Sequence, residues 1–363
     1  MAVIKILVML SLIICSKHSI PNEELIRNIE ETVGVDYEII HIDNSWQEYS
    51  IFQAYNKGVK QAHGDYLCFM HEDIAFHSVN WGQTVIQQLN DQNVGLVGVA
   101  GAKMVPANGD WRFYGNSYVY IIQGHHTLGE LPLYYVHGIE WNTHQTCQQA
   151  SIVDGCWFCI RKELFSEGKL NFDEEHFSSF HLYDSDISMQ VNQLGLKILL
   201  CTNILIEHFS VGLYSQDFLK GLQTFTEKWK DSLPYSYDDR FLESSAVKEK
   251  LAAKRLARRI EDDKLVSAIS NYYQMKAKGK DVEPLPKDAE RLIEDSYYRY
   301  TKEGIKYAQT NREARRVLRL YLDKGFKTHS KTLIMKYLYY RFGHRKKNQI
   351  VHVKSLNPEV IGI

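Results

Sequence analysis

The chain has 363 residues, of which 44% are hydrophobic and 24% charged, and its formal net charge is −1. This length is enough for a large core and predicts two domains, or one large domain with an appendage. The globular composition and the balanced charge exclude a general electrostatic attraction to nucleic acid or to an acidic partner.

The N-terminal apolar run, residues 3–15, resembles the hydrophobic part of a signal peptide but lacks a small-residue cleavage pattern. It is also too short to cross a membrane as a helix. We therefore interpret residues 10–15 as a buried first strand. Residues 1–8 are then interpreted as a dispensable extension or a mis-set start.

Strand and helix signals alternate along the first half of the chain. Strand signals lie at 10–15, 38–42, 66–70 and 94–100, and helix signals lie at 22–32 and 50–64. The second helix begins with the spacing of a capping box, Ser50 to Gln53. This β-α-β-α-β order predicts a parallel sheet with helices on its faces.

The composition and residue pattern of the chain change near Pro234. Before it, an apolar run at 152–160, helix signals at 184–194 and 216–229, and short strand signals at 197–200 and 204–206 follow one another. After it come long, charged, tyrosine-rich helical patterns with few strand signals. We therefore divide the chain into an α/β domain, 1–232, and a helical C-terminal region, 233–363.

The cysteines predict no metal site. Cys15, Cys68, Cys159 and Cys201 lie in apolar runs, so we expect buried free thiols there. Cys156 and Cys159 have the CxxC spacing, but a zinc site needs a second pair of similar spacing and the sequence has none. Free thiols fit a reducing compartment best.

Polar side chains follow several predicted strands at the point where each strand ends. They are Ser16, Lys17 and His18; Asp43, Asn44 and Ser45; His71, Glu72 and Asp73; Asp184 and Asp186; and Glu207 and His208. In open α/β sheets, ligands bind beyond the carboxyl ends of the strands. Carboxylate and imidazole groups there suit Mg²⁺ or Mn²⁺, which neutralises a departing diphosphate. The pattern predicts phosphate chemistry, together with a base that activates an attacking hydroxyl.

Five short motifs occur in a fixed order. They are Tyr55–Gly58 (YNKG), Ala62–Tyr66 (AHGDY), Phe69–Ile74 (FMHEDI), FDE at 172–174 with DSDI at 184–187, and HFSVG at 208–212 with Lys228-Trp229. Each motif is weak alone, but together they resemble glycosyltransferase family 2, in the branch with an HxD-type motif in place of DxD. The resemblance covers about residues 9–230. It implies a GT-A (Rossmann-like) fold of α/β class: a mixed, mostly parallel sheet flanked by helices, here followed by a helical C-terminal region.

The resemblance also implies a metal-assisted, inverting transfer. Asp73 is implied as a metal ligand on the donor diphosphate, and His208 as a second ligand. His71 replaces the usual first Asp, so a metal contact, a nucleotide contact and simple packing all remain open for it. Asp184 matches the general base of inverting members, with a helix N-cap as the structural alternative. Tyr183 stands where this family usually has Glu.

The other matched positions surround the donor. Nucleotide contacts are implied for Ser16, Asp43, Asn44, Asn56, Lys57 and Glu72. Donor-sugar or acceptor contacts are implied for Asp154, Gly155, Trp157 and Asp186. An exposed helix face is the structural alternative for Lys57, and a place in the core is the alternative for Trp157. For Asp186 the alternative is a structural carboxylate.

The implied partners are a nucleotide-sugar, with a UDP-sugar favoured, and a glycan, lipid-linked or protein acceptor, as in polysaccharide biosynthesis. We expect a cytoplasmic protein, and a place at the inner membrane surface if the basic stretch 331–347 contacts anionic lipid. Packing of that stretch on the catalytic domain is the favoured alternative. No nucleic-acid-binding module accompanies its basic residues.

Two other functions remain open from the sequence. A nucleotidyl- or phosphoryl-transfer enzyme on a similar sheet would need a Gly-rich phosphate loop, and the sequence has none. A degenerate GT-A domain that binds nucleotide or glycan as a scaffold is compatible with His71 in place of Asp. That scaffold would show no turnover.

Overall fold

The computed structural model describes residues 9–113, 117–128, 131–138, 146–210 and 214–243, with short pieces at 252–254, 257, 275 and 279–284. The chain forms two compact units. The first comprises residues 1–121, 143–208 and 212–258, and the second comprises 122–142, 209–211 and 259–363. The predicted extension at 1–8, most of the predicted helical region and its basic stretch lie outside the described residues. The predicted boundary at residue 232 stays a prediction.

Helices and strands alternate through the described part of the chain. The helices are α1 Glu23–Thr32, α2 Ile51–Gln61, α3 Trp81–Leu89, α4 Lys162–Ser166, α5 Tyr183–Gln193, α6 Gln216–Lys228 and α7 Arg240–Glu243. The strands up to the middle of the chain are β1 Leu10–Ser16, β2 Tyr37–Asp43, β3 Tyr66–Met70, β4 Ile74–Phe76, β5 Val94–Gly98, β6 Ala100–Ala102, β7 Met104–Val105 and β8 Ser117–Leu128. The later strands are β9 Leu131–Gly138, β10 Cys147–Ala150, β11 Ile152–Val153, β12 Trp157–Arg161, β13 Lys197–Cys201, β14 Ile206–His208 and β15 Tyr235–Ser236.

A seven-stranded sheet in the order β10-β13-β5-β12-β3-β1-β2 forms the centre of the first unit. β1 runs parallel to both β2 and β3, and β13 runs parallel to β5. β12 is antiparallel to its neighbours β3 and β5, and β10 is antiparallel to β13. The predicted mixed, mostly parallel sheet is therefore confirmed. The antiparallel insertion of β12 was not predicted, because an apolar run carries no sign of strand direction.

Alternating side chains of the central strands fill a separate core on each face of the sheet. Ile13 of β1 and Phe69 of β3 pack into one core with helices α2, α5 and α6. Leu12 and Cys68, one position earlier on the same strands, pack into the other core with α1 and α3. Successive residues of a strand point to opposite faces, so nearly every residue of β1 and β3 is buried. The same geometry brings the carboxyl ends of these strands to one edge.

The helix starts follow the capping signals of the sequence. Asn22 accepts hydrogen bonds from the backbone N–H groups of Glu24 and Leu25 at the start of α1. The capping box is confirmed at α2, where Ser50 and Gln53 each bind the other's backbone N–H. The start of α2 follows β2, so this cap fixes a helix end at the carboxyl edge of the sheet.

Two sequence predictions differ from the structure. The apolar run 152–160 was predicted as one continuous stretch, but it forms two strands, β11 and β12, separated by a turn at 154–156. Glycine at 155 and an aspartate before it favour a turn over a continuous strand. Helix α3 was not predicted between β4 and β5. Among the helices of the described residues, none combines the length and apolarity needed to span a membrane.

The expectation of free thiols is wrong for one pair of cysteines. Cys68 of β3 and Cys159 of β12 lie directly opposite each other on antiparallel strands and form a disulfide. Cys15 and Cys201 are free, as expected. Strand direction decides the pairing, since the two residues face each other only because β12 enters the sheet antiparallel to β3.

Candidate metal and donor site

Three side chains with metal-ligand chemistry meet at one point of the first unit. His71 follows β3, Asp73 lies between β3 and β4, and His208 ends β14, which pairs with β4. His71 Nδ1 lies 3.1 Å from His208 Nε2. Asp73 Oδ1 lies 3.8 Å from His71 Nδ1 and 3.5 Å from His208 Nε2. The structure therefore brings all three predicted ligands together.

Two of these three distances lie in the range for ligands of a single divalent ion, and the third, between His71 and Asp73, is about 0.3 Å longer. Ligand atoms bound to one ion at about 2.1 Å lie roughly 3.0 to 3.5 Å apart in octahedral or tetrahedral geometry. The observed triangle of two nitrogen atoms and one oxygen atom has edges of 3.1, 3.5 and 3.8 Å. A set of two imidazoles and one carboxylate on one side of an ion leaves other coordination positions open. Oxygen atoms of a diphosphate could bind at those open positions.

His71 has a further polar contact on the opposite side of its ring. Its Nε2 atom lies 2.7 Å from the hydroxyl of Tyr183, which donates a 2.9 Å hydrogen bond to the carbonyl oxygen of Gly155. Desolvation and the neighbouring His208 lower the pKa of His71 to about 4. The ring is therefore neutral at pH 7, and one of its two nitrogens carries a lone pair.

Asp184 lies in the first turn of α5, directly after Tyr183, and backbone amides bind its carboxylate. The N–H of Gly155 donates to Oδ2 at 2.9 Å, and the N–H of Ser185 donates to Oδ1 at 2.7 Å. Leu182 occupies the N-cap position of α5, so the alternative interpretation of Asp184 as the cap is wrong. Burial raises the pKa of Asp184 to about 6, although Arg112 opposes the shift.

Asp154 carries the second carboxylate next to this cluster, in the turn between β11 and β12. Burial raises its pKa, but Arg112, His208 and a hydrogen bond from the N–H of Cys156 outweigh that effect, and the pKa is lowered overall. Asp154 and Asp184 therefore differ in the pH at which they take up a proton. Asp154 is a fixed negative charge, whereas Asp184 can exchange a proton.

The positive charge of Arg112 lowers the pKa of both Asp154 and Asp184. Arg112 comes from a 3-10 turn, Trp111–Phe113, and pairs with the buried Asp110 at 3.4 Å. Its guanidinium group also lies over the rings of Trp111 and Phe218, at 4.8 and 5.4 Å from their centroids. The positive charge of Arg112 lowers the pKa of Asp184 from where burial alone would place it.

Glu72 and Ser16 join the ends of β3 and β1. Ser16 Oγ donates a hydrogen bond to Glu72 Oε2, and the backbone N–H of Lys17 lies 3.4 Å from Glu72 Oε1. Ser16 Oγ also accepts from the backbone N–H of His18 at 2.9 Å. Both predicted nucleotide-binding residues thus lie at one place on the carboxyl edge. Glu72 directly precedes Asp73 in the chain, so this place is next to the metal-ligand triangle.

Three more predicted nucleotide-binding residues are in different states: Asp43 ends β2, Asn44 lies in the loop after it, and Lys57 lies on α2. Asp43 is exposed and accepts a 2.9 Å hydrogen bond from the N–H of Ser45. Asn44 is buried, and its side chain binds both backbone groups of Tyr49, at 2.9 and 3.0 Å. Lys57 is exposed and donates to the Tyr49 hydroxyl at 3.1 Å. Asn44 therefore holds the loop closed, while Asp43 and Lys57 are accessible to a ligand.

Asn56 binds the protein backbone. Its amide nitrogen donates to the carbonyl of Phe172 at 2.7 Å, and its oxygen accepts from the N–H of Phe172 at 3.1 Å. Both hydrogen-bonding atoms of the side chain are thus occupied by the start of the FDE motif. The structure places Asn56 as a link between α2 and that motif, and the nucleotide contact of Asn56 stays a prediction.

Trp157 belongs to the core. The residue is completely buried, and its ring packs edge-on against Phe76 at 6.0 Å and Trp81 at 5.8 Å between centroids. Stacking on a sugar needs an exposed ring face, so the structure corrects the prediction that Trp157 contacts donor or acceptor. The side chain points to the face of the sheet covered by α1 and α3, because β12 alternates like the other strands.

Asp186 is a structural carboxylate. It is buried, and it accepts hydrogen bonds from Trp229 Nε1 at 2.8 Å and Gln190 Nε2 at 2.8 Å. Lys228 Nζ lies 2.7 Å from Asp186 and 2.6 Å from Asp173. The predicted sugar contact of Asp186 does not fit, because its oxygens already tie α5 to the end of α6. This arrangement explains why the FDE, DSDI and Lys-Trp motifs occur together.

Exposed apolar side chains lie on the loops at the carboxyl edge. Ile20 follows β1 and is 72% exposed, Trp46 follows β2 and is 85% exposed, and Phe180 precedes α5 and is 47% exposed. The loops that carry Trp46 and Phe180 are adjacent, since the N–H of Ile51 donates to the carbonyl of Ser179. These two rings provide aromatic surface beside the site.

Sequence reasoning missed Tyr183 and Arg112 as parts of the site. Tyr183 lies 112 residues from its partner His71, and no spacing rule reveals such a contact. The departure of Tyr183 from the usual Glu was the available signal. Arg112 lies outside every motif, and the sequence contained no sign of its place beside Asp154 and Asp184.

A comparison with protein families assigns the chain to a family. A family model described as "Glycosyltransferase like family" matches residues 11–208, more than half of the chain. The chain belongs to this glycosyltransferase family. The match includes His71, Asp73, Asp184 and His208, so it covers the candidate site. No protein with curated annotation matches the sequence.

Solved structures resemble this glycosyltransferase only distantly. A crystal structure of GalNAc-T7 with UDP, GalNAc and Mn²⁺ is 16% identical over 62% of this chain and 50% of that chain, with a TM-score of 0.42. The catalytic domain of Drosophila β1,4-galactosyltransferase 7 with xylobiose is 12% identical over 60% and 79%, with a TM-score of 0.35. A197 from STIV is 14% identical over 56% and 86%, with a TM-score of 0.32. This chain thus spans half the length of the GalNAc-T7 chain.

Proposed function

We propose that this glycosyltransferase moves a sugar from a nucleotide-sugar, with a UDP-sugar favoured, to an acceptor hydroxyl, with inversion at the anomeric carbon. The observation that carries the proposal is the triangle of His71, Asp73 and His208, together with Asp184 linked to it through Gly155 and Tyr183. A metal-ligand set and an ionisable carboxylate in one place are the two groups that such a transfer requires.

The donor is held at the carboxyl edge of β1, β2 and β3. His71, Asp73 and His208 would hold a divalent ion, which would neutralise the charge that develops on the departing diphosphate. Two imidazoles in the set favour a transition metal such as Mn²⁺ over Mg²⁺, which prefers oxygen ligands. Glu72 and Ser16 lie beside this set, where a carboxylate accepts hydrogen bonds from ribose hydroxyls. Asp43 is exposed at the same edge and would contact the nucleobase of the donor.

Asp184 is the base of the proposed reaction. As the acceptor oxygen forms its bond to the anomeric carbon, its proton passes to a carboxylate oxygen of Asp184. The bond from the anomeric carbon to the diphosphate oxygen breaks on the opposite side, and its electron pair leaves with the diphosphate. A pKa of about 6 leaves Asp184 mostly ionised at pH 7 yet more basic than an ordinary aspartate. Tyr183 and Gly155 hold Asp184 and the metal ligands in fixed relation.

The acceptor enters beside Trp46 and Phe180 in this proposal. Both rings are exposed on adjacent loops at the same edge as the donor groups. Aromatic rings stack on the apolar faces of sugars and also contact lipid chains. The surface therefore suits a glycan or a lipid-linked acceptor.

Calorimetry with UDP and GDP, each with and without Mn²⁺, tests the donor site of the purified protein. We expect Mn²⁺ to strengthen UDP binding by about tenfold or more, because an ion held by the three side chains would attract the negative charge of the diphosphate. UDP is expected to bind more tightly than GDP. Absence of nucleotide binding under every metal condition would contradict the donor site. Tighter binding of GDP would retain the metal site but overturn the preference for UDP.

A further inference from the structure

The hydroxyl of Tyr183 connects the metal-ligand triangle to the loop that holds Asp184. We propose that Tyr183 is a positioning residue that fixes the tautomer of His71, so that the Nδ1 lone pair points to the metal position. This inference rests on the metal site of the proposed function. It adds a role for a residue that contacts neither the ion nor the nucleotide.

The direction of two hydrogen bonds carries the inference. Tyr183 has one hydroxyl proton, and the carbonyl oxygen of Gly155, at 2.9 Å, can only accept. We assign the proton of Tyr183 to Gly155, which has no proton to offer in this contact. His71 Nε2, at 2.7 Å from the same hydroxyl oxygen, must then donate its own proton to Tyr183. A neutral imidazole carries one N–H, so Nδ1 of His71 has none.

In this tautomer, the nitrogen of His71 on the side away from Tyr183 carries a lone pair. Nδ1 of His71 faces His208 Nε2 at 3.1 Å and Asp73 Oδ1 at 3.8 Å. A lone pair there can bind an ion, whereas an N–H at Nδ1 would block it. Metal-bound histidines commonly donate their other N–H to a polar partner, which fixes both tautomer and ring orientation. In this chain the partner is Tyr183, and the carbonyl of Gly155 completes the connection.

Gly155 is the residue that allows this contact. A Cβ atom at position 155 would lie 2.2 Å from the Tyr183 hydroxyl, so only glycine leaves room for the ring. The same glycine donates its N–H to Asp184 at 2.9 Å. One backbone unit therefore holds the tyrosine through its carbonyl and the candidate base through its amide.

The variant Tyr183→Phe tests the role of the hydroxyl, and Tyr66→Phe is the matched control. Tyr66 is also buried, and its hydroxyl donates to Asn90 Oδ1. It begins β3, at the opposite end of the strand from His71, so the control removes a buried tyrosine hydroxyl away from the site. The first readout is ¹⁵N NMR of the His71 imidazole in metal-free protein, assigned with His71→Gln. The second is the affinity for Mn²⁺ alone, measured by electron paramagnetic resonance.

We expect the wild type and Tyr66→Phe to show the proton of His71 on Nε2. Tyr183→Phe is expected to show a mixture of tautomers and to bind Mn²⁺ about 10-fold more weakly, the lower end of losses for such supporting contacts. A proton on Nδ1 in the wild type, or unchanged tautomer and Mn²⁺ affinity in Tyr183→Phe, would overturn the proposal. A wild type that binds no Mn²⁺ but shows the Nε2 proton would instead count against the metal site of the proposed function.

Discussion

Replacing Asp184 with asparagine is expected to lower kcat by about 10³-fold, within the range for removal of a general base. The amide retains an oxygen that can accept from the Gly155 N–H, so the loop keeps its place, but it cannot take a proton from the acceptor hydroxyl. Affinity for UDP with Mn²⁺ is expected to stay within twofold of the wild type, because Asp184 is separate from the three metal ligands. Donor turnover and calorimetry on the same sample measure both quantities.

The pH dependence of kcat in the wild type also tests the role of Asp184. Burial raises the pKa of Asp184 to about 6, so the carboxylate loses its charge below that pH. We expect kcat to fall about tenfold per pH unit below 6 and to level off above it. The asparagine variant should lack this dependence. Equal turnover in wild type and variant would remove Asp184 from the role of base.

The second large effect is expected for Asp73→Asn. Asp73 supplies the only carboxylate of the metal-ligand triangle, and an amide oxygen is a weaker ligand without charge. Removal of a direct ligand should cost more than loss of a supporting contact, so we expect Mn²⁺ affinity to fall about 100-fold or more. Binding of UDP should then drop to its metal-free level. Electron paramagnetic resonance of Mn²⁺ and calorimetry of UDP measure the two effects.

Asp36→Asn is the matched control for both aspartate variants. Asp36 is exposed and directly precedes β2, at the opposite edge of the sheet from the site. Its replacement should leave Mn²⁺ affinity, UDP affinity and turnover unchanged. If Asp73→Asn behaved like Asp36→Asn, the triangle of His71, Asp73 and His208 would not be the metal site.

Much of the sheet could be predicted because its signals are local. The run Leu10–Ser16 is apolar over its whole length and the box from Ser50 to Gln53 has a fixed spacing, so a strand and a helix start follow from neighbouring residues. The metal ligands were predicted from the resemblance to the family, and only their meeting at one edge follows from the strand order. His71 and Asp73 follow β3, and the carboxyl ends of strands in such a sheet meet at one edge.

The remaining parts depend on contacts that sequence spacing does not encode. Trp157 follows a turn that was not predicted, and the register of β12 decides which face its ring enters. Asn44 and Asn56 have the chemistry of nucleotide ligands, but backbone groups of Tyr49 and Phe172 occupy their polar atoms. Tyr183 is read from the sequence as a departure from a motif, and only the fold shows that it contacts His71.

The stereochemistry of donor cleavage is the most direct test of the proposed reaction. Wild-type protein with Mn²⁺ and a panel of α-linked UDP-sugars, with water as acceptor, would be followed by ¹H NMR of the released sugar before its anomers equilibrate. We predict that the β anomer appears first from one of these donors, and that its release falls about 10³-fold in Asp184→Asn. First appearance of the α anomer would contradict inversion. UDP binding without release of any sugar would contradict catalysis and leave a nucleotide-binding scaffold.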